Sequence, residues 1–167
     1  MKAKSTIFIL LVLLLSCKKS QNTNVVLNGL LTNCAANSSC THNYYDNADF
    51  INGGQLERGA YRVFCYKSVN ANLCGITNQL YFETSMNNDD FVISSNQIAA
   101  GQVAAYDMVC PCCDVAFITK PIGGEIKGKR TDETHWLINA SIVFGTAINA
   151  PLDTLVVNQY FASEKLP

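Results

Sequence analysis

The residues of this chain best suited to chemistry are its cysteines, and their densest cluster is Cys110-Pro111-Cys112-Cys113. Cys110 and Cys113 stand at the Cys-x-x-Cys spacing that exchanges disulfides where the motif opens a helix, because the helix N-terminus stabilises the first thiolate. Here the following residues, Asp114 to Lys120, have strand character, and Pro121 ends any helix early. The activating element is therefore missing. Metal binding is a second chemistry: Cys110, Cys112 and Cys113, with His42 or His135, offer a thiolate-rich set suited to zinc or copper. No second Cys-x-x-Cys supports that set, and thiols in an oxidising compartment tend to pair. Structural disulfides are the favoured role, and no cofactor is expected.

Other catalytic constellations are absent from the sequence. It contains no Gly-x-Ser-x-Gly elbow, no His-Glu-x-x-His and no phosphate-cradling glycine loop. His42 and His135 are the only imidazoles. His135 opens the best strand as a rim residue, and His42 lies in a polar, cysteine-rich stretch, where loop filler is favoured over a ligand. Asp89 and Asp90 follow Asn87-Asn88, a composition that backbone turns select for their own reasons. Tyr44, Tyr45 and Phe50 form an aromatic group that could face a partner; covering the edge of the core is the favoured role.

The N-terminus says where such a chain lives. Lys2 and Lys4 precede an unbroken apolar run from Ile7 to Leu15. That run is about half the roughly 20 residues a spanning helix needs, and it has the length of a secretory h-region. Leu14-Leu15-Ser16-Cys17 then resembles the lipobox of bacterial lipoproteins, an apolar, a variable and a small residue before an invariant cysteine. The resemblance covers the leader alone. It implies cleavage before Cys17, a diacylglyceryl group on that sulfur and a fatty acyl group such as palmitate on the new amino terminus. Multiple acyl chains anchor stably where one does not. Lys18 replaces the Asp that favours inner-membrane retention in enterobacterial lipoproteins, which points to an outer membrane where the cell has one. The expected organisation is a signal peptide over 1–16, a lipidated cysteine and tether over 17–24, and a single β domain over 25–167.

With Cys17 assigned to lipid, seven cysteines remain: Cys34, Cys40, Cys65, Cys74, Cys110, Cys112 and Cys113. An exported chain with so many implies disulfides, and short polar spans make Cys34–Cys40 and Cys65–Cys74 the first expected pairs. Seven is odd, so at least one thiol stays free, binds something or joins another chain. A net charge of -1 gives no steering toward nucleic acid. The one basic cluster, Lys127-Gly128-Lys129-Arg130, stands beside Asp132 and Glu133 and reads as a solvated strand end.

These residues need a scaffold, and the pattern is that of strands. Trp136 to Phe144 alternates strictly, with Trp136, Ile138, Ala140, Ile142 and Phe144 on one face. Glu125–Lys129 precedes it across a turn at Thr131–Thr134, and Asp153–Phe161 follows. Further strands are expected at 60–66, 79–84 and 91–93, with turns rich in Asn, Ser and Gly between them. Thr32 to Asp49 lacks periodicity and reads as a disulfide-pinned loop, Gly53-Gly54 as a turn, and 95–105 as a turn leading into a strand. The expected fold is all-β: an antiparallel sandwich of about seven to nine short strands, with a barrel as the alternative. The expected function is a non-catalytic binding or structural module on the envelope, held to the membrane through Cys17 and meeting an unknown protein or small ligand. The competing expectation is a thiol redox or metal-handling protein using Cys110–Cys113.

Overall fold

The computed structural model describes residues 27, 29–51, 55–72, 75–109 and 119–167, with only the backbone for 104–109. Alternation of side chains builds its strands. In β7 (His135–Gly145), Trp136, Ile138, Ala140 and Ile142 are buried, Leu137, Asn139 and Val143 are half-buried, and Ser141 is exposed. That period of two is the one the sequence carries. β6 (Lys120–Arg130) joins it through the expected 131–134 turn, where Thr131 N–H donates to His135 O at 3.0 Å, and β8 (Pro151–Ser163) completes the meander. β2 (Gln55–Asn70) and β3 (Ile76–Ser85) form a second hairpin, paired from Tyr61↔Ser85 to Asn70↔Ile76. Between β4 (Asp90–Ile93) and β5 (Val103–Val109) lies one α-turn, Ser95–Gln97, that continues as a π-turn, Ile98–Gln102. Ile98 buries itself beneath the turn.

The segment expected as a loop is a correction. Most of it belongs to β1 (Ser38–Ile51), a strand of 14 residues paired along its length with β2. Its inward side chains, His42 and Tyr44, stand among Thr41, Asn43 and Asp46, so no apolar alternation marks it. Asn47 takes a left-handed conformation (φ 54°) inside a β-bulge between Asp46 and Asp49. There the Asp49 carboxylate accepts the Ala60 N–H at 3.1 Å. A bulge bends a long ribbon and increases its twist. The Gly53-Gly54 turn lies outside the described residues.

The eight strands among the described residues belong to one sheet in the order β4-β6-β7-β8-β1-β2-β3-β5. The fold is all-β, and the strand count falls within the expected seven to nine. The two layers expected of a sandwich are the halves of this one continuous sheet, which curls until β2 faces β7. Phe64 meets Trp136 at 5.5 Å and Phe161 at 5.9 Å between ring centroids. Two expectations need correction. Neighbours are antiparallel except β1 and β8, which run parallel through Asn43↔Ala162 and Tyr44↔Ser163. The strands are also not uniformly short, since β2 has 16 residues and β8 has 13. Long twisted strands coil a sheet into facing halves without a break. No hydrogen-bonded ladder joins the edge strands β4 and β5 among the described residues, so the sheet is not closed into a barrel.

The core fills the space between the halves. Phe64, Phe82, Phe91, Trp136 and Phe161 form its aromatic centre, with Ile93, Ile126, Ile138 and Ile142 around them. Each large apolar side chain buried so fully contributes about 1.5–3 kcal/mol. Gly128 makes room for this packing, because a Cβ there would collide with the Phe91 ring. A smaller cluster of Ala48, Val63 and Tyr81 occupies the outer face of β1–β2–β3, where Leu166 packs on it.

Candidate functional site

The two ends of the curled sheet differ. Among the described residues, the core is left open at one end as a cleft of about 240 Å³ between β2–β3 and β7–β8. Its apolar walls are Tyr66 from β2, Phe144 from β7 and Leu155 from β8, with the largely exposed Leu152 at its rim. Tyr66, Phe144 and Leu155 are only partly buried and pack against the core without sealing it. Phe144 thus occupies the inward register that the alternation of β7 predicts, yet it lines an opening. Asn78, Gln79, Thr119, Asp153 and Thr154 add polar groups to the walls. Asp153 already accepts the Thr154 N–H at 2.7 Å, which fixes its carboxylate.

One wall is braced by the disulfide. Cys34 and Cys40 form the expected bond, closing a short turn just before β1. Cys40 Sγ lies 3.8 Å from the Tyr66 hydroxyl. His42 packs its ring at 5.3 Å from both Tyr66 and Phe161. Burial lowers the pKa of His42, so the ring is held neutral. It is neither loop filler nor exposed; it is a half-buried aromatic wedge behind the cleft wall.

Cys65 lies on the outer face of β2, among Thr41, Asn43, Tyr45, Lys67 and Tyr81 in a shallow depression. It carries a free thiol, so the expected Cys65–Cys74 pair is not formed. The physical reason lies in the strand: Cys65 pairs with Tyr81 well inside the hairpin, five positions before its closing pair, Asn70↔Ile76. Five residues of strand span roughly 16 Å, beyond the reach of a disulfide. Burial pushes this thiol's pKa up, which disfavours the nucleophilic thiolate. Cys17, Cys74, Cys110, Cys112 and Cys113 lie outside the described residues. Among the described residues no three of His, Cys, Asp and Glu gather in a group that could hold a metal ion.

Arg62 is only 5% exposed, an arrangement that nothing in its sequence context signals. Its guanidinium lies 4.6 Å from the Trp136 ring and 5.5 Å from Tyr44, and it forks onto the Asp46 carboxylate at 2.5 and 3.2 Å. Cation–π stacking plus a bidentate partner satisfies a buried charge. His135 is a rim residue, as expected, contacting Asp132 at 3.1 Å. The Thr134 N–H, aided by His135, holds the Asp132 carboxyl down at about 2. The basic cluster is likewise engaged, with Lys127 on Glu125 at 2.5 Å and Arg130 on Asp89 at 3.6 Å. Tyr44 is core, while Tyr45 and Phe50 cover the smaller outer cluster.

No helix among the described residues is long and apolar enough to cross a membrane. Comparison with protein families, curated proteins and solved structures gave no match to this chain.

Proposed function

We propose that this protein is a lipid-anchored module of the bacterial envelope that binds a small, mainly apolar ligand in the cleft. The observation that carries the ligand reading is the unfinished core: Tyr66, Phe144 and Leu155 pack on buried neighbours yet still face about 240 Å³ of open space. Apolar surface left accessible there is covered favourably by an apolar guest, at about 25 cal/mol per Å². Ligand pockets usually measure roughly 300–1,000 Å³, so this smaller cleft suits a guest of about one ring. The polar groups on its walls would orient such a guest.

The leader supports anchoring. Lys2 and Lys4, the apolar run and Leu14-Leu15-Ser16-Cys17 together specify export and acylation of Cys17, with Lys18 favouring an outer membrane. The Cys34–Cys40 disulfide suits an oxidising space outside the cytoplasm.

The ligand reading is tested by titrating the full chain with p-cresol while recording methyl NMR spectra. Shifts concentrated at Leu155 are expected, and Leu155→Trp, which fills the cleft, should abolish the binding response. Unmoved methyls at millimolar p-cresol, or equal shifts in the filled variant, would remove the cleft as a binding site.

A further inference from the structure

The outer face of β7–β8 is unlike the rest of the surface. From Leu137 to Val143 and from Leu152 to Tyr160, the outward positions carry only Leu, Asn, Ser, Val, Thr and Tyr, without one charge. The register sets these two rows side by side, Leu137 opposite Tyr160 and Ser141 opposite Val156. Leu152 and Val156 are each 55% exposed and Tyr160 46%. Ile148, in the β7–β8 turn, is 86% exposed. Four-residue steps along a strand make a strip from Leu152 to Tyr160 about 26 Å long.

The chain that would carry the lipid arrives on this same face. Asn158, in the middle of the strip, is covered by the segment after Gly29. Its side-chain amide donates to Leu30 O at 3.0 Å, and Thr32 N–H donates to Asn158 O at 2.9 Å. Leu30, which leaves that contact 94% exposed, and its neighbour Leu31 extend the apolar strip. Eleven residues separate Cys17 from Gly29; fully extended, that stretch reaches at most roughly 40 Å. Beyond the opposite border, the outward row of β6 changes character at once, to Glu125, Lys127 and Lys129.

We infer that the outer face of β7–β8, with Leu30, Leu31 and Ile148, lies against the lipid bilayer that holds Cys17. This rests on the anchoring proposed above. A charge-free strip with an aromatic residue and flanking lysines matches the requirements of the membrane interface, where apolar side chains enter the headgroup region and basic ones meet anionic lipids. A short tether raises the local concentration of bilayer around the domain, so each encounter with a weakly adhesive face is repeated. A face without the tether would meet lipid rarely; a tether without the face would leave the domain tumbling. The chain combines both on one side.

The test uses the full acylated chain in phosphatidylethanolamine–phosphatidylglycerol vesicles whose acyl chains are brominated. Tryptophan is introduced at Val156, and separately at Ile148, with Thr41→Trp on the other half of the sheet as the reference; Trp136 is buried and supplies a constant background. The expected result is bromine quenching and a blue shift for Val156→Trp and Ile148→Trp, with neither for Thr41→Trp. Mass spectrometry of the same preparation reports acylation of Cys17. If Cys17 is acylated and all three sites quench alike, or none does, the docking inference is overturned while the anchor stands. Protection of Val156→Trp by self-association in detergent, with no quenching in vesicles, overturns it in favour of a protein partner. An unacylated mature N-terminus overturns both.

Discussion

The two ends of the curled sheet are built from the same materials and treated differently. At the closed end Phe64, Phe91 and Trp136 pack ring against ring, and the guanidinium of Arg62 is laid over the indole and tied to Asp46. At the open end Tyr66, Phe144 and Leu155 sit in the same inward registers but leave space between the halves. The difference teaches that inward alternation alone does not make a core residue. Closure requires that the facing half supply a partner at the same level. Where it does, the side chain is part of the stability of the fold; where it does not, the side chain becomes a wall.

That contrast can be broken most forcefully at Trp136. Replacing it with Ala removes the centre of the aromatic cluster and uncovers Arg62, and should cost about 3–5 kcal/mol. Phe144→Ala, an inward aromatic on the same strand, should cost only about 1 kcal/mol, because less of its surface is lost from burial. Urea denaturation of the two variants gives the ratio directly, and equal losses would mean that the open end is as well packed as the closed one.

The disulfide ranks next. Cys34 and Cys40 are separated by only 6 residues, and loop-closure entropy for so short a ring gives about 2 kcal/mol. The double Ser variant should lose that much in denaturant titrations without reductant, with the perturbation centred on Tyr66 and His42 in NMR spectra. A loss centred on Trp136 instead would show that the two ends do not behave separately.

The smallest effect belongs to His42. Its folded pKa is lowered by burial while the unfolded chain titrates near 6.5, so below 6.5 the unfolded state binds more protons. Stability from the neutral ring is complete above 6.5 and declines as pH falls from there toward the lower folded value. Thermal melts of His42→Phe should lack this part of the acid decline. Retention of the same decline would assign it to other groups.

How much of this was legible in the sequence depended on whether the signal was local. β7 announced itself because its buried face is made only of apolar residues at period two, and the 131–134 turn because Thr-Asp-Glu-Thr interrupts two such runs. The Cys34–Cys40 bond followed from short spacing. β1 stayed hidden because its inward positions are polar or aromatic and its neighbours supply the reason for the strand. Cys65 was given the wrong role for a related reason: nearness along the chain counts for little once the chain is extended. The cleft is the least local of all, since its walls come from four strands and its existence depends on how far the sheet curls. Phe144 belonged to the expected inward row, but nothing in the row separates a wall from a core position.

The single parallel contact between β1 and β8 has a kinetic consequence. Among the described strands, β1 and β8 are neighbours although far apart in sequence, and their seam consists of two residue pairs, Asn43↔Ala162 and Tyr44↔Ser163. Each hairpin can form as soon as its two arms are available, but the halves cannot be stitched together until β8 has emerged. Sheets joined through such distant pairings fold slowly and expose unpaired edges while they wait. Assembly therefore waits for β8, and cutting β8 back through Ala162 should open the sheet at this seam.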